Sequence, residues 1–189
     1  MPFDHFNCIA GFYDRVGQFQ LSDYLAELLA LSPKSLLLDA GGGTGRVAAA
    51  LRSKVRDVFV ADLARGMLRR AVDKGLAVVC TPAELLPFPS ESFERIIMVD
   101  ALHHVIDQRQ TARELFRVLA PGGRIAIVEP DIRKAIVKVI AIGEKILLMR
   151  SHFLTGEQIT VLFTHPYAKT AVYYDGFNVI FIAERLIRL

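Results

Sequence analysis

The sequence predicts an α/β fold: a doubly wound, mostly parallel seven-stranded sheet that finishes in an antiparallel hairpin. Three observations carry this. Short β-rich runs alternate with helical patterns along most of the chain. Those runs are almost continuously apolar, as strands covered by helices on both faces require. Towards the C-terminus the alternation stops, and two β-rich runs are joined only by Asp175-Gly176, a hairpin signal.

The elements follow in order. SLLLDA (35–40) is a buried strand ending in glycines, and GRVAAALRSK (45–54) is a helix. DVFVAD (57–62) is the second strand, and ARGMLRRAVDKG (64–75) is a helix with Gly75 at its C-terminal cap. AVVC (77–80) and FERIIMVD (93–100) are strands three and four. QRQTARELFRVLAPGG (108–123) is an amphipathic helix stopped by Pro121-Gly122-Gly123, and RIAIVEP (124–130) is the fifth strand. AKTAVYY (168–174) and FNVIFIAERL (177–186) complete the sheet. No repeat, low-complexity tract or linker interrupts this pattern, so residues 1–189 read as a single domain. A chain of that length buries about two-thirds to 70% of its unfolded surface.

Composition excludes several classes. No run of about 18 uncharged apolar residues is present, so no spanning helix is expected. The two cysteines, Cys8 and Cys80, lack metal-ligand spacing, and nothing supports a disulfide between them. His5, His152 and His165 are scattered, so no metal site is expected. With no secretory n- and h-region at the start, a reduced cytoplasmic setting is expected. Net charge is +3, but residues 132–150 hold five basic residues against Glu144, a local +4 that leaves −1 for the rest. Tryptophan is absent and basic residues do not interleave with aromatics, so no nucleic-acid partner is expected.

The stretch LLLDAGGGTGR (36–46) puts Gly41, Gly43 and Gly45 between the first strand and its helix. In doubly wound sheets, ligands bind beyond the carboxyl ends of the strands, at the point where strand order reverses. Glycine there lets a ligand approach the backbone, although a tight strand-to-helix turn with nothing bound reads the same way. A dinucleotide fingerprint would require glycine at 46, where the chain has Arg46, and no Gly-Lys-Ser/Thr follows for a P-loop.

This stretch resembles motif I of class I S-adenosylmethionine-dependent methyltransferases, whose fold is Rossmann-like. The other motifs follow in order: VFVADLARGML, PAELLPFPSESFERIIMVDALHHV, RVLAPGGRIAIVEPD and, at the N-terminus, FDHFNCIAGFYDRV. Together they cover roughly residues 3–131 and are similar to the ubiquinone/menaquinone-biosynthesis C-methyltransferase subgroup (type 11). The resemblance implies methyl transfer from S-adenosylmethionine, with S-adenosylhomocysteine as product, to a small or lipophilic, quinone-like acceptor at carbon or oxygen. The alternative is a non-catalytic S-adenosylmethionine-binding partner or regulatory protein.

The resemblance also implies roles. Asp39 would contact the methionine end of the cofactor, and Gly41, Gly43 and Gly45 would form the cradle. Asp62 would accept the ribose hydroxyls, and a cap on the following helix is its plain structural role. Leu63 and Met67 are candidates for an apolar wall beside the adenine, Leu63 by position, while a place in the core is the preferred reading of Met67. The subgroup commonly reads Asp-Ala-Glu where this chain has Pro82-Ala83-Glu84. Pro82 supplies neither a side-chain acceptor nor an N–H, which leaves the Ala83 amide to meet the adenine, with Thr81 or Glu84 as compensating groups. Asp100 is counted with the cofactor residues. His103 is the preferred base beside the acceptor, with His104 pointing elsewhere and Tyr13 closing over the site; an imidazole packed under the sheet edge is the plain alternative.

Residues 132–165 stand where relatives carry a substrate-covering segment. Within 132–150, Lys134, Lys138 and Lys145 fall on one helical stripe and most of the circumference is apolar. An ordinary packed helix, a lid over a lipophilic acceptor, and an interfacial helix on an anionic membrane surface are all compatible with that pattern. The pocket of so short a chain is either open or completed by a second subunit, so a homodimer is one expectation.

Overall fold

A computed structural model describes residues 18–146 and 151–187. Tyr13, His5, Cys8 and the rest of the N-terminal motif lie outside the described residues. Helix α1 (Gln18–Leu28) precedes strand β1 (Leu36–Ala40), helix α2 (Arg46–Leu51) and strand β2 (Asp57–Asp62). Helix α3 (Arg65–Asp73), strands β3 (Ala77–Cys80) and β4 (Phe93–Val99), and helix α4 (Gln108–Val118) follow. Strand β5 (Leu119–Pro130), helices α5 (Ala135–Ile146) and α6 (Gly156–Leu162), and strands β6 (Ala168–Asp175) and β7 (Asn178–Arg185) complete the fold.

The seven strands lie in the order β3-β2-β1-β4-β5-β7-β6. Pairings through β5 are parallel, and β7 runs antiparallel to both β5 and β6. The doubly wound sheet with its antiparallel end is therefore as the sequence predicts. Alternation along each strand builds two cores, because successive side chains leave a strand on opposite faces. Leu37, Ile97, Ala126 and Val128 join Leu25, Leu51 and Leu68 from α1–α3 and Leu29 just past α1. Leu38, Ile96, Met98, Ile125 and Ile127 join Leu115 and Ile159 from α4 and α6 and Phe163 at the end of α6.

Among the boundaries that differ from expectation, two have a clear cause in the sheet. Helix α4 ends at Val118 rather than at the Pro-Gly-Gly, because Leu119 already pairs with Phe93 in the sheet. The hairpin turn is Gly176-Phe177, one residue later than the Asp-Gly signal, since Asp175 still pairs with Asn178. Among the described residues, no helix is long and apolar enough to cross a membrane, and no group of His, Cys, Asp and Glu could hold a metal ion.

Candidate functional site

Strand order reverses between β1 and β4, and in sheets of this kind that is where a ligand cleft opens at the carboxyl ends of the strands. The loop after β1 holds the glycines. A side chain on Gly41 would begin 2.6 Å from Ala101 Cβ, and one on Gly45 would begin 2.3 Å from Leu76 Cδ1; both glycines are demanded by packing. Gly43 differs. It has φ +53°, and the direction of its missing side chain is open except for Asp62 Oδ2 at 3.9 Å. That is the point where a ligand can lie on the backbone.

Asp39 lies beneath this loop, and a side chain on Gly42 would begin 2.5 Å from its Cγ. The carboxyl is 1% exposed, and its Oδ2 has no hydrogen-bond partner. Burial, opposed by the backbone at Ala48 and reinforced by the nearby Asp62 charge, raises its pKa to about 7. A buried carboxylate with an unsatisfied oxygen is costly unless a donor arrives, and a cation is the donor that best relieves it.

Asp62 ends β2 on the same rim. Its Oδ2 accepts from the Gly43 amide at 2.8 Å, and its Oδ1 accepts from the Ala64 amide at 2.7 Å. Asp62 does not itself cap the following helix, whose N-cap is Ala64, but accepts from the amide of that residue. It braces the glycine loop and the approach to α3, and each oxygen retains acceptor capacity towards the cleft. Leu63 is 65% exposed beside it, while Met67, expected in the core, is only half-buried.

The groups expected to compensate for Pro82 are committed elsewhere. The Thr81 hydroxyl donates to the Leu85 carbonyl at 2.6 Å. Glu84 Oε1 accepts from the amides of Ile106 and Asp107 at 2.7 and 3.2 Å. Ala83 is itself a buried residue at the cleft margin.

Across the cleft, Asp100 adopts φ +52° directly after β4. Its side chain remains 42% exposed and lies 3.9 Å from the Arg46 guanidinium. Arg46, the residue that breaks the dinucleotide pattern, thus reaches from the glycine loop to the turn after β4. Desolvation in the cleft, with the Glu129 charge, raises Asp100 to about 6.

His103 is buried, and its Nδ1 pairs with the carboxylate of Glu129. Its ring stacks on Phe153 at 4.3 Å. The expectation that the two histidines diverge is not met, because a short 3₁₀ turn brings their rings to 3.9 Å. Burial and the charge of His103 push His104 down to about 4, so it is neutral at physiological pH. Glu129 escaped the sequence reading, although one signal was visible: a carboxylate in register with the buried Ile125 and Ile127.

The sequence model of the methyltransferase domain family matches residues 38–127. Residues 38–127, just under half of the chain, thus resemble a methyltransferase domain. Over 137 residues it is 36% identical to the demethylmenaquinone methyltransferase of Clavibacter sepedonicus, covering 66% of this chain and 56% of that protein. Over 117 residues it is 34% identical to the ubiquinone/menaquinone biosynthesis C-methyltransferase UbiE of Stenotrophomonas maltophilia, covering 56% and 46%. The chain thus spans about half the length of the curated relatives it matches. Among solved structures, an S-adenosylmethionine-dependent methyltransferase from Thermotoga maritima superposes with a TM-score of 0.72 at 21% identity, covering 93% of this chain and 95% of that one. The residues of the cleft fit the cofactor of this family: an acid with one unpartnered oxygen beneath the loop, an open glycine, and a second acid on the rim.

Proposed function

We propose that this chain transfers a methyl group from S-adenosylmethionine to a small or lipophilic, quinone-like acceptor at carbon or oxygen. The observation that carries the reading is Asp39, whose buried carboxyl keeps one oxygen unpartnered below the glycine loop. S-adenosylmethionine, when bound, supplies a methyl group already activated on a sulfonium, so the protein's part is placement and exclusion of water. Asp39 receives the amino group of the methionine end, Gly43 admits the cofactor to the backbone, and Asp62 receives the ribose hydroxyls. Leu63 and the Ala83 amide border the adenine. Asp100 stays with the cofactor residues, and His103, with Tyr13, would face the acceptor. The quinone-like acceptor rests on what the relatives' names say of those proteins.

The membrane-facing reading has its own support. On α5, Val137 is buried, whereas Ile136, Val139 and Ile142 are 52, 63 and 60% exposed. Lys138 on the same helix and Lys134 just before it are exposed. An apolar stripe beside lysines suits an anionic lipid surface, from which a lipophilic acceptor is drawn. The rival, a non-catalytic cofactor-binding partner, is favoured by the commitment of Thr81 and Glu84 away from the adenine position. Purified protein with radiolabelled S-adenosylmethionine and a panel of demethylated quinone precursors separates the two. Label transfer supports the enzyme, whereas binding without transfer to any acceptor supports the rival.

A further inference from the structure

We infer that Glu129 is a positioning residue that ties the turn supporting the glycine loop to residues 151–155 of the covering segment. The inference rests on reading the cleft as the cofactor site. Glu129 is 2% exposed near the end of β5, and its carboxylate meets three donors from one turn. Its Oε1 accepts from the amides of Ala101 at 3.0 Å and Leu102 at 2.8 Å, and its Oε2 pairs with His103 Nδ1. Ala101 is the residue against which Gly41 packs. The carboxylate therefore fixes the surface on which the glycine loop rests.

The far side of the same turn holds the covering segment. The His103 carbonyl accepts from the His152 amide at 2.8 Å, and the His103 ring stacks on Phe153. Ser151 Oγ lies 3.3 Å from His104 Nδ1. Gln108 Nε2 donates to both the Leu102 and His152 carbonyls, at 3.1 and 2.7 Å. Leu102 and His103 thus bond to Glu129 beneath, His103 and His104 meet 151–153 above, and Gln108 bridges Leu102 to His152. A carboxylate accepts from all three donors at once. A glutamine has one acceptor oxygen and turns an NH₂ towards one donor, which leaves a mismatch in a buried site.

Amide hydrogen exchange on the full chain, with and without S-adenosylhomocysteine, tests this using Glu129→Gln and His103→Gln. Phe163→Leu, a core change, is the control for lost stability. In the wild type, saturating S-adenosylhomocysteine slows exchange in 101–104 and 151–155 together. In Glu129→Gln the affinity falls about tenfold, exchange of 151–155 quickens without ligand, and the response to ligand disappears; the control keeps both. His103→Gln quickens 151–155 in the same way and serves where Glu129→Gln does not fold. The inference is overturned if 151–155 is indifferent to bound ligand in the wild type, or if both variants exchange there like the wild type. Should the folded wild type bind no S-adenosylhomocysteine, the cofactor reading fails. The tie itself is then judged on the ligand-free variants: faster exchange in 151–155 upholds it and unchanged exchange overturns it.

Discussion

Replacing Asp39 by asparagine separates stability from function. The folded-state pKa lies near 7 against 3.8 for the ordinary group. The folded protein therefore holds an extra proton between these values, and stability from this group falls as pH rises from about 4 to about 7. At about 1.4 kcal/mol per pH unit, the ionised form costs the ligand-free protein about 4 kcal/mol above pH 7. Between pH 5 and pH 8 the loss is about 2–3 kcal/mol. Asparagine carries no charge, although its buried amide brings donors that cost about 1–3 kcal/mol if unpaired. The variant is thus more stable than the wild type by about 1–3 kcal/mol at pH 8, and the advantage shrinks or reverses at pH 5. Urea unfolding at several pH values measures this, and the difference between the two proteins cancels Asp100, which titrates in the same direction. The same variant binds S-adenosylhomocysteine at least tenfold more weakly, because the cation has lost its counter-charge. Parallel stability curves for the two proteins across pH 5–8 would refute the argument.

Asp62→Ala removes the acceptor for the Gly43 and Ala64 amides; it lowers stability by about 1–2 kcal/mol and S-adenosylhomocysteine affinity by more than tenfold, read by thermal melting and calorimetry. Gly43→Ala and Gly45→Ala should behave oppositely, since the first faces open space and the second strikes Leu76. The first loses affinity with a stability loss near 1 kcal/mol, and the second unfolds at lower denaturant by about 2 kcal/mol or more. Converting Ile136, Val139 and Ile142 together to serine abolishes co-sedimentation with vesicles containing anionic phosphatidylglycerol while leaving the melting temperature within a few degrees; sedimentation equal to wild type would remove the membrane reading.

Much of the architecture was legible because it rests on strong local signals. The near-continuous apolar strands announce a sheet covered on both faces, and the carboxylates Asp39 and Asp62 stand at strand ends where apolar residues would otherwise pack. Other features depend on tertiary pairing. Leu119–Gly123 reads as a helix end, yet the edge of β4 draws it into β5. Helix α6 was missed even though Thr155 and Gln158 form a capping box. Gly156 at its start masks the helical pattern, and only the fold shows that a side chain there would strike Val172 and Tyr174. Apolar residues around α5 do not say which of them are covered. Nor could sequence spacing bring Glu129 to His103, because that contact crosses from β5 to the turn after β4.

The most direct test of the central claim is a calorimetric titration of the purified protein with S-adenosylhomocysteine, run beside NAD(H). The account predicts saturable binding of S-adenosylhomocysteine alone, with a dissociation constant roughly micromolar or tighter. No binding of S-adenosylhomocysteine by folded protein, or equal binding of NAD(H), would contradict it.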